Sequence, residues 1–128
     1  MFSRKNGITK QMNGGTMYEQ REIVLIPFPY SDLTGSKQRP ALIVSNENLN
    51  KSDDRICCLI TSNEPRDSIA ITSSAFEKGS LPFKSWVKPH RLFTIDQRIV
   101  KKKLGRVSKE FHEKVLKGIV SYLEIQKK

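Results

Sequence analysis

Arg39 heads the run RPALIV (39–44), where a proline and four apolar residues read as a buried strand, and it follows a loop of hydroxyls and amides, SDLTGSKQ (31–38). Burying an unpaired charge is costly. Such an arginine therefore either has an internal carboxylate, for which Asp32 and Asp54 are the nearest candidates, or is held for an external anion. A guanidinium at a strand mouth can fork onto two phosphate oxygens. Thr61 and Ser62 close the apolar run DRICCLITSN (54–63), and their hydroxyls would lie beside Arg39 if the two strands pair in register. The plain alternative for them is hydrogen bonding to strand-end backbone.

A second set of cations, Lys84, Lys88, His90 and Arg91, follows on KSWVKPHRLFTI (84–95), with Phe83 and Trp86 interleaved. Cations alternating with aromatics suit single-stranded RNA, whose phosphates meet charge while splayed bases stack; the alternative for Trp86 is a place in the core. His90 could exchange a proton near neutrality, as base or acid, or merely touch phosphate. His112 reads as a surface residue in the first turn of a helix. RIVKKKLGR (98–106) carries five positive charges, either a solvated turn or an extension of an anion track.

The elements that must position these groups are modest in number. A chain of 128 residues suits one domain. Residues 1–16 are polar, with three glycines and no hydrophobic period, and read as a disordered leader or expression remnant preceding a domain over 17–128. The β-branched run REIVLIPF (21–28), the two runs already named, DSIAIT (67–72), the long segment 84–95 interrupted at Pro89, and KLGRV (103–107) read as strands. SAFEKG (74–79) suggests a helical turn stopped by Gly79. From Ser108 the period changes: Phe111, Val115, Ile119 and Tyr122 recur at helical spacing, Ser108 suits an N-cap, and Glu110 and Glu113 complement the helix dipole. Short strands followed by one terminal helix imply an α+β domain, a small twisted sheet or barrel carrying the helix.

Lys and Arg number 23 against 13 Asp and Glu, a net charge of +10, and only three of the basic residues fall in the first sixteen. The domain itself is therefore basic, which favours polyanionic partners. Cys57 and Cys58 are adjacent on one strand and should point to opposite faces, a poor arrangement for a disulfide. No Cys/His spacing suits a metal, and no apolar run is long enough to span a membrane. A reducing cytoplasm fits this composition.

The sequence REIVLIPFPYSDLTGSKQRPALIVSNENLN (21–50), followed by LITS (59–62) and later RLFTID (91–96), resembles the PemK/MazF family of toxin endoribonucleases. The likeness covers about residues 20–125. It implies a small SH3-like antiparallel β-barrel with a C-terminal helix and short connecting helices, usually as a homodimer, restrained by an acidic antitoxin and cleaving single-stranded RNA at short sequences without metal or other cofactor. Under the resemblance Arg39 matches the catalytic arginine, Thr61 the catalytic hydroxyl residue and Ser62 its neighbour. Ser36 matches an RNA-binding loop position, and Lys37 and Gln38 adjoin it. Lys37 stands where a glutamate is frequent, while Lys88 and His90 replace an arginine and an aspartate, which makes His90 a candidate acid or base. Lys84, Lys88 and Arg91 are the expected RNA contacts on the long strand. Two other readings share the fold: a gyrase-poison-like protein and an RNA-binding module without activity.

Overall fold

The computed structural model describes residues 17–28, 37–63 and 65–127. The proposed leader and the Gly-Ser loop with Ser36 lie outside the described residues. Among the described residues seven strands form one sheet: β1 (Glu22–Phe28), β2 (Lys37–Ile43), β3 (Asp54–Thr61), β4 (Ile69–Ile71), β5 (Phe76–Gly79), β6 (Ser85–Asp96) and β7 (Lys102–Val107). A short helix α1 (Glu47–Asn50) links β2 to β3, and α2 (Lys109–Ser121) follows β7. The spatial order is β4-β6-β3-β2-β1-β7-β5, every pairing antiparallel. The expected barrel-like sheet is thus a curled half-barrel, with β4 and β5 at its open edges. No helix among the described residues is long and apolar enough to cross a membrane.

Strand and helix limits follow local chemistry. β2 stops at Ile43 because the amides of Val44 and Ser45 both turn to the Ile56 carbonyl, and the Asn46 side chain then caps α1 by accepting from the Asn48 amide. The helical turn read in SAFEKG is shorter than expected. Ser73–Ala75 make one 3-10 turn, after which Phe76–Gly79 extend as β5 along β7. Gly79, at φ +76°, lies against Gly105 so closely that a Cβ on it would stand 2.4 Å from the Leu104 carbonyl oxygen; only glycine takes both that backbone and that contact at low cost. Ser108 caps α2, its hydroxyl accepting from the Phe111 amide at 3.1 Å.

The sheet is buried on both faces. Ile23, Leu42, Cys58, Ile60 and Val87 pack against Phe111, Val115 and Ile119 of α2, while Val24, Ile26, Ala41, Ile43, Cys57 and Ile95 form a second core on the other face. Cys57 and Cys58 fall on opposite faces, as the two-residue period of a strand requires, and burial pushes both free thiols up to about 12. Each fully buried aliphatic side chain of these cores contributes about 1.5–3 kcal/mol. α2 crosses β6 where Gly118 meets Pro89; a Cβ on Gly118 would stand 3.2 Å from the proline ring.

Buried polar groups are mostly satisfied. Arg55 is wholly buried, and its guanidinium donates to the carbonyls of Tyr18, Ser52 and Asp54 and to Gln97 Oε1 at 2.7–2.9 Å. Gln97 in turn donates to Asp53 Oδ1. Arg106 Nε and the His112 ring are exceptions, and at His112 the surface position read from the sequence gives way: the first turn of α2 tucks inward and leaves the imidazole only 4% exposed, with neither ring nitrogen in hydrogen-bonding geometry. Burial, aided by the nearby Arg21 charge and opposed slightly by the Val44 backbone, lowers its pKa to about 4.

Since the unfolded chain protonates His112 near pH 6.5 and the folded one only near 4, the fold binds fewer protons between those values and loses stability as pH falls through that window, by at most about 3 kcal/mol. Thermal melts of the native chain should therefore decline from pH 7 to pH 4.5, and His112→Phe should flatten the decline. Parallel slopes for the two proteins would assign the pH dependence to other groups.

Candidate active site

Register decides which side chains share a face. Ile26 of β1 lies opposite Arg39, and Ala41 of β2 opposite Leu59, so continuing the same antiparallel register brings Arg39 against Thr61. On the other side of β3, Leu59 faces Lys88 and Thr61 faces Trp86. Directly opposed residues in a sheet point to the same side. Arg39, Thr61, Lys88 and Trp86 therefore stand on one face, at the end of the sheet beyond the Val24–Ile43–Cys57 core.

There Arg39, Thr61 and Lys88, with Asn63 and Arg91, line a cleft of about 250 Å³ over Phe28, Leu59 and Ile60, and Trp86 shares the face next to Thr61 without lining the cleft. A bulge supplies Arg91. Cys58 pairs with Leu92 while its neighbour Leu59 pairs with Lys88, so Pro89, His90 and Arg91 loop out between them. Pro89 is seated on Gly118, Arg91 turns into the cleft, and His90 turns toward the C-terminal end of α2, its ring centroid 5.6 Å from that of Tyr122. Alternation along an unbroken strand would have set His90 beside Lys88; the bulge separates the two.

The electrostatics are one-sided. Among the described residues three cations and no carboxylate line the cleft. Arg21 meets Glu77 at 2.8 Å, Arg98 meets Asp96 at 2.5 Å and Arg106 lies 3.8 Å from Glu77, whereas Arg39 makes no ion pair among the described residues. Asp54, one carboxylate that might have neutralised it, sits at the far end of β3 opposite Asp96; Asp32 lies outside the described residues. Lys88 is only 7% exposed, and its ammonium donates a hydrogen bond to the Arg66 carbonyl at 2.7 Å. The Thr61 hydroxyl has only long contacts, 3.3 Å to Asn63 Oδ1 and 3.4 Å from the Asn63 amide. Both are beyond the usual range, so the hydroxyl keeps most of its hydrogen-bonding capacity.

The remaining residues singled out in the sequence are distributed around this centre. Lys37 and Gln38 are exposed at the start of β2, Lys37 opposite Phe28. Ser62 and Lys84 are exposed and do not line the cleft. The basic segment 98–106 is partly neutralised, Lys103 by Glu22 at 2.8 Å, and Arg98 holds the Asp96 carboxyl down at about 2 through hydrogen bonds from its guanidinium and its backbone amide. Asn63 was not singled out by sequence; its only signal was its place two residues after Thr61, where an amide can fold back on a strand end. A larger cavity of about 640 Å³ lies elsewhere, but its Glu19, Glu47, Arg21, Lys51 and Lys109 mix both signs.

The structure is a curled half-barrel with a C-terminal helix, carrying at one end of its sheet a cleft whose described charged residues are all cationic. The protein belongs to the PemK-like, MazF-like toxins of type II toxin–antitoxin systems, whose family model matches residues 19–123. Among solved structures the fold is similar to that of a mycobacterial endoribonuclease in complex with its cognate antitoxin (TM-score 0.66, 18% identity, 88% of this chain and 99% of that one). MazF from Deinococcus radiodurans gives 0.66, 17%, 84% and 97%, and the Mycobacterium tuberculosis toxin MazF-mt6 gives 0.65, 15%, 84% and 100%. At these identities the likeness is one of fold. No curated protein matches by sequence.

Affinity for a short single-stranded oligonucleotide should fall with salt at a slope near −0.7 per phosphate contact. Lys88→Ala and Arg91→Ala should each flatten the slope by up to that amount, while Lys84→Ala, outside the cleft, should flatten it less. A slope that ignores both cleft variants would place the polyanion elsewhere.

Proposed function

We propose that this protein is an endoribonuclease that cuts single-stranded RNA, the toxin of a cytoplasmic toxin–antitoxin pair. The observation that carries the reading is Arg39: a partly buried guanidinium with no ion-pair partner among the described residues, in register with a weakly engaged Thr61 hydroxyl. In the reaction the 2′-hydroxyl of one nucleotide, losing its proton to water, attacks its own 3′-phosphate, the bond to the next 5′-oxygen breaks, and that oxygen takes a proton from water, so that the products are a 2′,3′-cyclic phosphate and a 5′-hydroxyl. Negative charge accumulates on the non-bridging oxygens in the transition state, and donors fixed in advance stabilise it most effectively. Arg39 and Thr61 supply those donors, while Lys88 and Arg91 hold the scissile or flanking phosphates. Ser36, Lys37, Gln38, Ser62 and Lys84 extend the contacts along the strand.

A guanidinium stays protonated, so Arg39 stabilises charge and does not remove the 2′-proton. His90 faces Tyr122, and the reading gives it no proton to carry. This route requires no metal, because the nucleophile belongs to the substrate. The charge of +10 suits an acidic antitoxin covering the cleft, by analogy with the mycobacterial endoribonuclease solved with its cognate antitoxin and with MazE-MazF of Deinococcus radiodurans. A homodimer is the assembly the family resemblance implies. Because no carboxylate or imidazole lines the described cleft, a module that binds RNA without cutting it is the competing reading.

Purified protein incubated with a long single-stranded RNA in EDTA should yield fragments with cyclic phosphate ends, leave duplex RNA intact because its bases cannot splay, and cut equally well as His90→Asn. Bound but uncut RNA would favour the competing module. Equal cutting of duplex, or loss of activity in EDTA, would contradict the proposed route.

A further inference from the structure

Trp86 stands on the cleft face next to Thr61, and the phosphate chemistry leaves it unused. It is partly exposed and belongs to neither hydrophobic core, so the core position that is the usual fate of a lone tryptophan does not describe it. Its neighbours are set by register. On one side is Thr61, on the other Ala70 of the edge strand β4. Ala70 is itself exposed and too small to cover an indole. Two positions on, Lys88 carries its ammonium to the cleft.

We infer that Trp86 is the stacking platform for a base next to the scissile phosphate, and so contributes to substrate selection at this site. Directly opposed residues on antiparallel strands have Cβ atoms about 5 Å apart. A base attached to the ribose whose phosphate lies between Arg39 and Thr61 therefore falls within reach of the indole face. A rigid aromatic surface loses little entropy on contact, and any base presents a π-face to it. Stacking of this kind is sequence-tolerant but sensitive to base size. Duplex RNA cannot present a splayed base and would be excluded here as well as by the phosphates.

The inference rests on the cleft being an RNA site, and a test is available that does not depend on cutting, because Trp86 is the sole tryptophan of the chain. The probe is a short, end-labelled 2′-O-methyl RNA, which cannot be cleaved because its attacking hydroxyl is blocked. Anisotropy of the label reports binding and intrinsic fluorescence reports Trp86. The expected result is binding with quenched tryptophan emission, the quenching being lost for one member of a set of oligonucleotides made abasic at each position in turn. Trp86→Ala should raise Kd roughly tenfold to a hundredfold and Trp86→Phe should recover most of it. Binding without quenching would overturn the stacking role and leave the cleavage reading standing. Failure to bind at all would overturn both.

Discussion

The site depends on the register in which β3 lies between β2 and β6. That register sets Ala41 against Leu59 and Leu59 against Lys88, and a slip of one residue on either side would turn every polar side chain of the cleft to the opposite face. It is held by burial on both faces of the sheet. Leu42, Cys58 and Val87 can only face α2, and Ala41, Ile43 and Cys57 can only face the second core. The polar ends of the strands inherit an alignment specified by their apolar middles. In the pairing of β3 with β6 the register shifts at the bulge Pro89–Arg91, where Pro89 is seated on Gly118. Bulges of this kind commonly redirect a side chain beside a functional site.

Charge is distributed with the same economy. Arg55 shows what a structural arginine needs in this fold: full burial, three carbonyls and a glutamine oxygen, with burial still holding its pKa below the ordinary value. Arg21, Arg98 and Arg106 each have a carboxylate. Arg39 has neither arrangement among the described residues. Leaving a partly buried guanidinium without an anion costs stability, and preorganised donors at active sites are a common place for that cost to be carried.

Much of this was legible from residue types. The Arg-Pro strand root, the strand ending in Thr-Ser, the opposed cysteines and the capped terminal helix all follow from local preference and period, and each element lies within a few residues of where the sequence put it. What was illegible depended on tertiary contacts. Pro89 marks an interruption of β6, but nothing local gives the length of the bulge or shows that it turns Arg91 to the cleft and His90 to Tyr122. Trp86 was expected in the core because tryptophans usually are, but the edge position and small neighbour that leave it partly exposed are properties of the sheet order. His112 read as surface because nothing local reveals how deeply the first turn of α2 tucks in. Asn63 carried too little pattern to stand out.

The central claim is that Arg39 is held for a substrate phosphate and is not part of the scaffold. The most direct measurement compares single-turnover cleavage and thermal stability of Arg39→Ala with those of the native chain. Loss of a donor to transition-state charge should slow cleavage by ~10²- to 10³-fold, while the melting temperature stays the same or rises slightly, because no internal partner is left exposed. A variant that melts several degrees earlier and cuts RNA at the native rate would contradict the account and make Arg39 a structural residue.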